Sequence, residues 1–186
     1  ISVISMSLGT TELFSNYCNN DVLAPSINNA ISNNITVTAA TGNNGDNTKI
    51  SSPACIENVI SVASSTKQDL ISSFSNKNSI TDIIVPGSDI SSTSKSGNYE
   101  SMSGTSMSTP HVAGIVALLQ QYKKEESNRT LTPQEVEDAL KFSDKIITDS
   151  NGLNYTRVNA NKALIYIDAK KPTFIITISP SKANLS

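Results

Sequence analysis

The sequence predicts an α/β fold: a parallel sheet with helices packed on it, organised around one buried central helix. Three observations predict it. An apolar strand, a helical segment and a β-branched strand follow one another within the first 40 residues, the pattern of a βαβ unit whose strands run parallel. The run Ile115-Val116-Ala117-Leu118-Leu119 is apolar on nearly every side, as in a helix enclosed by a core. Glycine- and proline-containing breaks follow the strand segments directly, and the carboxyl ends of parallel strands are where α/β sites assemble.

Taken in order, Ile1-Ser2-Val3-Ile4-Ser5-Met6 reads as a buried strand ending at Ser7-Leu8-Gly9. Residues 10–20 read as a polar loop. A helix is expected over 24–31, with Pro25 in its first turn and Ile27, Ala30 and Ile31 at helical spacing. Ile35-Thr36-Val37-Thr38-Ala39-Ala40 is a strand stopped by Gly42 and Gly45. Val59–Ala63 and Asp82–Val85 are further short strands, the second closed by Pro86-Gly87. Residues 88–103 read as polar connection. The central helix is expected from about Thr105 to Lys124, with Pro110 inside its first turn. Thr132, Pro133 and Glu135 form a capping box opening another helix, and a last helix fits Asn159–Ile167. Asp149-Ser150-Asn151-Gly152 is a turn. Thr173–Ile178 is strand-like, so residues 169–186 are expected to be an edge strand or the start of a further β-module.

Composition removes several function classes. The chain has 186 residues, enough for one sizeable core, and a net charge of −2, which offers nothing to nucleic acid. No stretch approaches the roughly 20 apolar residues of a membrane span. The chain begins at Ile1, not Met, in a stretch that already reads as a strand, so it is expected to be a processed or excised piece of a longer fold.

The chemistry concentrates in Gly104-Thr105-Ser106-Met107-Ser108-Thr109-Pro110-His111. Small polar residues there start the central helix and put Ser106 at, or one step inside, its N-terminus. Free backbone N–H groups and the helix dipole favour developing negative charge at that point. The α/β-hydrolase elbow fits less well, because it needs glycine where Ser108 stands.

This motif resembles the nucleophile motif of the subtilisin-like serine proteases, the subtilases. Ala39-Ala40-Thr41-Gly42-Asn43-Asn44-Gly45 resembles that family's oxyanion strand, and Ser7-Leu8-Gly9 its substrate-binding strand. Ser51–Cys55, Ser73-Phe74-Ser75 and Val85-Pro86-Gly87 also match, so the likeness runs from residue 1 to about 167. It implies the three-layer sheet of the subtilisin type with its N-terminal portion missing, and residues 1–168 as the C-terminal portion of a peptidase domain. It implies Ser106 as nucleophile, Asn43 as oxyanion amide, and a polypeptide substrate held by Ser7, Leu8 and Gly9 on one side and Ala40, Thr41 and Gly42 on the other. The other reading of Asn43 is a Gly-Asn turn kept for its backbone shape.

The resemblance has a gap. A triad needs a base and a carboxylate that orients it. The single histidine, His111, belongs to the nucleophile motif and is turned about 140° from Ser106 on a helix. The base and carboxylate are therefore expected from a segment outside this chain, in cis or as a second chain, and this chain alone is expected to be inactive. A pseudoprotease serving as a peptide-binding or scaffold protein is the rival reading. The resemblance also suggests a Cys18–Cys55 disulfide, against two buried thiols, and a secreted or cell-surface location. No cofactor is required. Structural calcium occurs in the family, but Asp46, Glu57, Asp82 and Asp89 have no ligand spacing, so no metal residue is assigned. The sequons at Asn34, Asn128, Asn154 and Asn184 carry no inference in so asparagine- and serine-rich a chain.

Overall fold

The structure, a computed structural model, describes residues 1–143 and 145–169. The strand-like reading of 173–178 lies outside them. A six-stranded sheet is ordered β1 (Val3–Met6), β3 (Thr36–Ala40), β5 (Ile60–Ser65), β6 (Ile83–Pro86), β10 (Asn154–Arg157) and β9 (Ile146–Thr148). The first five run parallel, and β9 pairs antiparallel with β10. Two-residue strands β2 (Leu13–Phe14) and β4 (Ile50–Ser51) pair apart from it, as do β7 (Ile90–Thr93) and β8 (Tyr99–Met102). Helices α1 (Ala24–Ser32), α2 (Thr105–Ser127), α3 (Pro133–Lys141) and α4 (Ala160–Ala169) complete the fold.

Strand alternation divides the core into two faces. Ile60, Val62, Ile83 and Val85 pack with Val112, Val116 and Leu119 of α2 and with α3 and α4. Val37 and Ala39 pack with Ala24 and Ile27 of α1 on the opposite face. β3, β5 and most of β6 are buried throughout, which explains their unbroken apolar or small-residue sequences. The expected βαβ unit is present, β1 pairing in parallel with β3 with α1 between them in sequence, but β1 is the shorter Val3–Met6 and, at the end of the described sheet, half-buried to exposed rather than buried as expected.

Several expectations needed correction. Residues 88–103 form the β7–β8 hairpin rather than plain connection. Its side chains are mostly exposed, so backbone pairing holds it and no apolar alternation marks it. Within residues 10–20, Leu13 and Phe14 form β2. The turn at 149–152 joins β9 to β10; Ile147 and Tyr155, the buried residues flanking it, were the available signal. Helix α2 is not enclosed on all sides among the described residues. Val112, Val116 and Leu119 are buried against the sheet, whereas Leu118 is 66% exposed. It also runs on to Ser127, where Asn128 caps it in the left-handed conformation at φ 53°. The capping box of α3 is present: Glu135 N–H donates to the Thr132 hydroxyl, and Thr132 N–H to the Glu135 carboxylate.

Cys18 and Cys55 form a disulfide with Cα atoms 5.3 Å apart. It ties the loop before α1 to the segment after β4, inside the second core face.

Candidate active site

Three loops leave the carboxyl ends of β1, β3 and β6 on the same side of the sheet and meet the start of α2. Gly87, directly after β6, allows the closest approach. A Cβ there would lie 2.2 Å from the Ser108 hydroxyl and 2.6 Å from the Gly104 carbonyl. Its carbonyl accepts the Gly104 N–H at 2.8 Å, and the Val85 carbonyl accepts the Ser108 hydroxyl at 3.2 Å. The start of α2 is thereby seated on the end of β6.

Ser106 is the second residue of α2, where the N–H group has no partner within the helix. The neighbouring N–H groups are taken: Thr105's by the Asn43 side chain at 2.9 Å and Met107's by the Gly104 carbonyl at 3.0 Å. No protein acceptor for the Ser106 N–H occurs among the described residues, so it is open to a ligand.

Pro110 lies in the second turn of α2, not the first as expected. A proline there removes the hydrogen bond that its N–H would give to the carbonyl of residue 106. The Ser7 hydroxyl donates to that carbonyl instead, at 2.9 Å, and the Ser106 hydroxyl donates to the Ser7 carbonyl at 3.3 Å. The break in the helix ladder thus becomes a clasp between the loop after β1 and the start of α2.

Asn43 has a fixed orientation. Its Oδ1 accepts the Thr105 N–H at 2.9 Å and the Thr105 hydroxyl at 3.0 Å. A backbone N–H can only donate, so the atom facing it must be the amide oxygen. The amide nitrogen is consequently the free end. Thr105 Oγ1 also accepts the Gly42 N–H at 3.2 Å, and Thr105 is fully buried.

Asn43 and Ser106 line one cavity of about 150 Å³ together with Leu8, Gly9, Ala40 and Gly42. Ser7 stands beside it through its clasp on Ser106. Thr41 does not line it: this residue is buried, and its hydroxyl donates inward to the Asn76 carbonyl at 2.7 Å. The Thr105 pin carries no sequence pattern of its own; Thr105 reads only as a helix starter.

His111 borders a separate groove that Ser106 also reaches. Its Nδ1 bonds the Met107 carbonyl at 2.8 Å; a carbonyl only accepts, so Nδ1 carries the proton. Serine and histidine thus point their polar atoms at different partners.

Among the described residues no group of three or more His, Cys, Asp or Glu side chains converges on a metal site. Three of the four scattered carboxylates have other partners. Asp46 is held below the usual carboxylate range by hydrogen bonds, first from the Thr48 N–H. Glu57 accepts from Asn19, and Asp82 accepts from Ser61 and Lys141. These residues do not fit a calcium cage. No helix among the described residues is long and apolar enough to cross a membrane.

Residues 1–161 match the sequence profile of the subtilase family. The chain belongs to the subtilase family. It is 40% identical over 164 residues to thermitase of Thermoactinomyces vulgaris, covering 88% of this chain and 54% of thermitase. It is 38% identical over 164 residues to the thermophilic serine proteinase of Bacillus sp. strain AK1, covering 88% of this chain and 38% of that protein. Among solved structures, the patellamide maturation protease superposes with a TM-score of 0.79 at 28% identity, over 91% of this subtilase and 64% of that chain. A cold-adapted subtilisin-like serine proteinase gives 0.70 at 34% identity, over 85% and 54%. The chain therefore spans about half or less of the length of these curated relatives.

Proposed function

We propose that this chain is the nucleophile- and oxyanion-bearing part of a serine endopeptidase. The Ser106 hydroxyl attacks the scissile carbonyl of an extended polypeptide, giving up its proton to a base. The carbonyl oxygen takes the negative charge and is held by the Asn43 amide and the Ser106 N–H. The tetrahedral species expels the amine, which leaves with the base's proton, and water then releases the acyl group from Ser106. Substrate backbone pairs beside Ser7, Leu8 and Gly9, with Ala40 and Gly42 across the cleft.

The observation that carries this reading is the pinned amide. Thr105 occupies the Asn43 oxygen, leaving only the nitrogen for the cavity that Ser106 lines. A peptide-binding scaffold needs neither that donor nor a hydroxyl beside it.

The base and its orienting carboxylate come from a segment outside this chain, in cis or as a second chain. The single histidine is engaged elsewhere, and the exposure of Leu118 on α2 supports a covering layer. The Cys18–Cys55 bond supports a secreted or cell-surface location.

The test is peptide hydrolysis by the full-length protein. S106A is expected to abolish turnover while leaving the melting temperature unchanged. Wild-type turnover in S106A contradicts the proposal.

A further inference from the structure

The pinned side chain of Asn43 settles which end of the amide faces the cavity, but not where the loop carrying it stands. That loop runs from Gly42 to Asp46 after the end of β3. Most of it is exposed or half-buried, and Gly42 and Gly45 both take positive φ, 107° and 68°. Glycines in that region make the backbone permissive, so something else must hold it.

One buried side chain does. Asn76, fully buried, comes from the segment between β5 and β6. Its Oδ1 accepts the Asn44 N–H at 2.8 Å and the Asp46 N–H at 3.1 Å. Its Nδ2 donates to the Asn44 side-chain oxygen at 3.2 Å. Its own N–H donates to the Gly42 carbonyl at 2.9 Å, and its carbonyl accepts the Thr41 hydroxyl at 2.7 Å. The contact is tight: a Cβ on Gly42 would lie 2.4 Å from Asn76 Nδ2. Asn76 therefore grips the chain immediately before and immediately after Asn43 and leaves Asn43 itself untouched.

We propose that Asn76 is the positioning residue of the oxyanion loop: it fixes the backbone from which the Asn43 amide reaches the developing oxyanion. The proposal rests on the endopeptidase reading above. An oxyanion donor contributes only when its nitrogen stands within hydrogen-bond distance of the oxygen in the transition state. Displacing a catalytic group by about 1 Å can cost on the order of 10²-fold. Without the Asn76 carboxamide, the Asn44 and Asp46 N–H groups lose their acceptor, and the stretch around Asn43 is left with its backbone ties, the Gly45 N–H to the Phe74 carbonyl at 2.7 Å and the Lys77 N–H to the Asp46 carbonyl at 2.8 Å. Asn76 touches neither substrate nor reacting atoms; its effect on kcat passes through Asn43, whereas an effect through Gly42, which walls the cleft, would appear in KM.

A double-mutant cycle in the full-length protease tests this. Wild type, N43A, N76A and N43A/N76A are compared for kcat and KM on a peptide amide substrate, with melting temperatures recorded for each and S106A as control. N43A is expected to lower kcat by ~10²–10³-fold, the loss that removing such an amide causes in subtilisin. N76A is expected to lower kcat roughly tenfold or more, with KM within about twofold. In the N43A background the same change is expected to cost at most about twofold. Should N76A fail to fold, N76S, which keeps a small polar group at the position, carries the same cycle with a smaller loss. A wild-type kcat in N76A or N76S, or an equal loss with and without Asn43, overturns the proposal while S106A is inactive. Wild-type turnover in S106A removes instead the reading on which it rests.

Discussion

Thr105 fills the oxygen end of the Asn43 amide with both its N–H and its hydroxyl, so the amide cannot turn over without losing two hydrogen bonds. T105V keeps the shape and the N–H but removes the hydroxyl, and it leaves the Gly42 N–H without its acceptor. In the full-length protease, T105V is expected to lower kcat roughly tenfold, the worth of one hydrogen bond of ~1.4 kcal/mol in the transition state. It should also lower stability by about 1–2 kcal/mol through the orphaned N–H. Steady-state kinetics with a denaturant titration measure both. An unchanged kcat would mean that the amide is oriented by something else. At this scale Ser106 and Asn43 were legible as candidates, because each lies in a motif that resembles one whose chemistry demands that residue type. Thr105 and Asn76 were not, because the roles proposed for them depend on contacts across 62 and 32 positions of sequence. Ser7 was legible as part of a strand end, but its clasp on Ser106 was not. Pro110 makes that clasp necessary, and its place in the second turn was misread as the first.

Elements were legible where local rules decide them. Thr132, Pro133 and Glu135 announce the start of α3 through spacing alone, and the capping box forms as the spacing requires. Arg129 strengthens it: its guanidinium donates to both Glu135 oxygens, at 2.9 and 2.7 Å. These bonds, foremost those from Arg129 and then the Thr132 N–H, hold the Glu135 carboxyl at about 2, against an ordinary 4.5. A carboxyl depressed on folding adds stability above its unfolded value and loses it as pH falls toward the folded one. The melting-temperature gap between wild type and E135Q should therefore be full at pH 6 and shrink between pH 4.5 and 2. A gap independent of pH would show that the carboxylate charge contributes nothing. The β7–β8 and β9–β10 hairpins escaped reading for the opposite reason. The first is mostly exposed on both faces, so no buried apolar alternation marks it, and the second is three and four residues long, too short for alternation to register.

At the scale of the whole molecule, the parallel sheet was legible because fully buried strands read as unbroken apolar or small-residue runs. The enclosure of α2 was not. Its all-round apolar sequence implies a second covering layer, yet among the described residues only the sheet-facing side and the α4 side are packed. The Cys18–Cys55 bond closes a separation of 37 residues and stabilises chiefly by restricting the unfolded chain. The C18S/C55S double variant is expected to lose about 4 kcal/mol in a denaturant titration. A loss under 1 kcal/mol would indicate that packing in the second core face already fixes that loop.

The central claim is that nucleophile and oxyanion donor are assembled on this chain while the base is not. A fluorophosphonate probe reads it directly, because fast phosphonylation of Ser106 needs its proton removed. The purified 186-residue chain is expected to label negligibly, while the full-length protein labels stoichiometrically at Ser106. Fast stoichiometric labelling of the chain alone, or none at Ser106 in the full-length protein, would contradict the account.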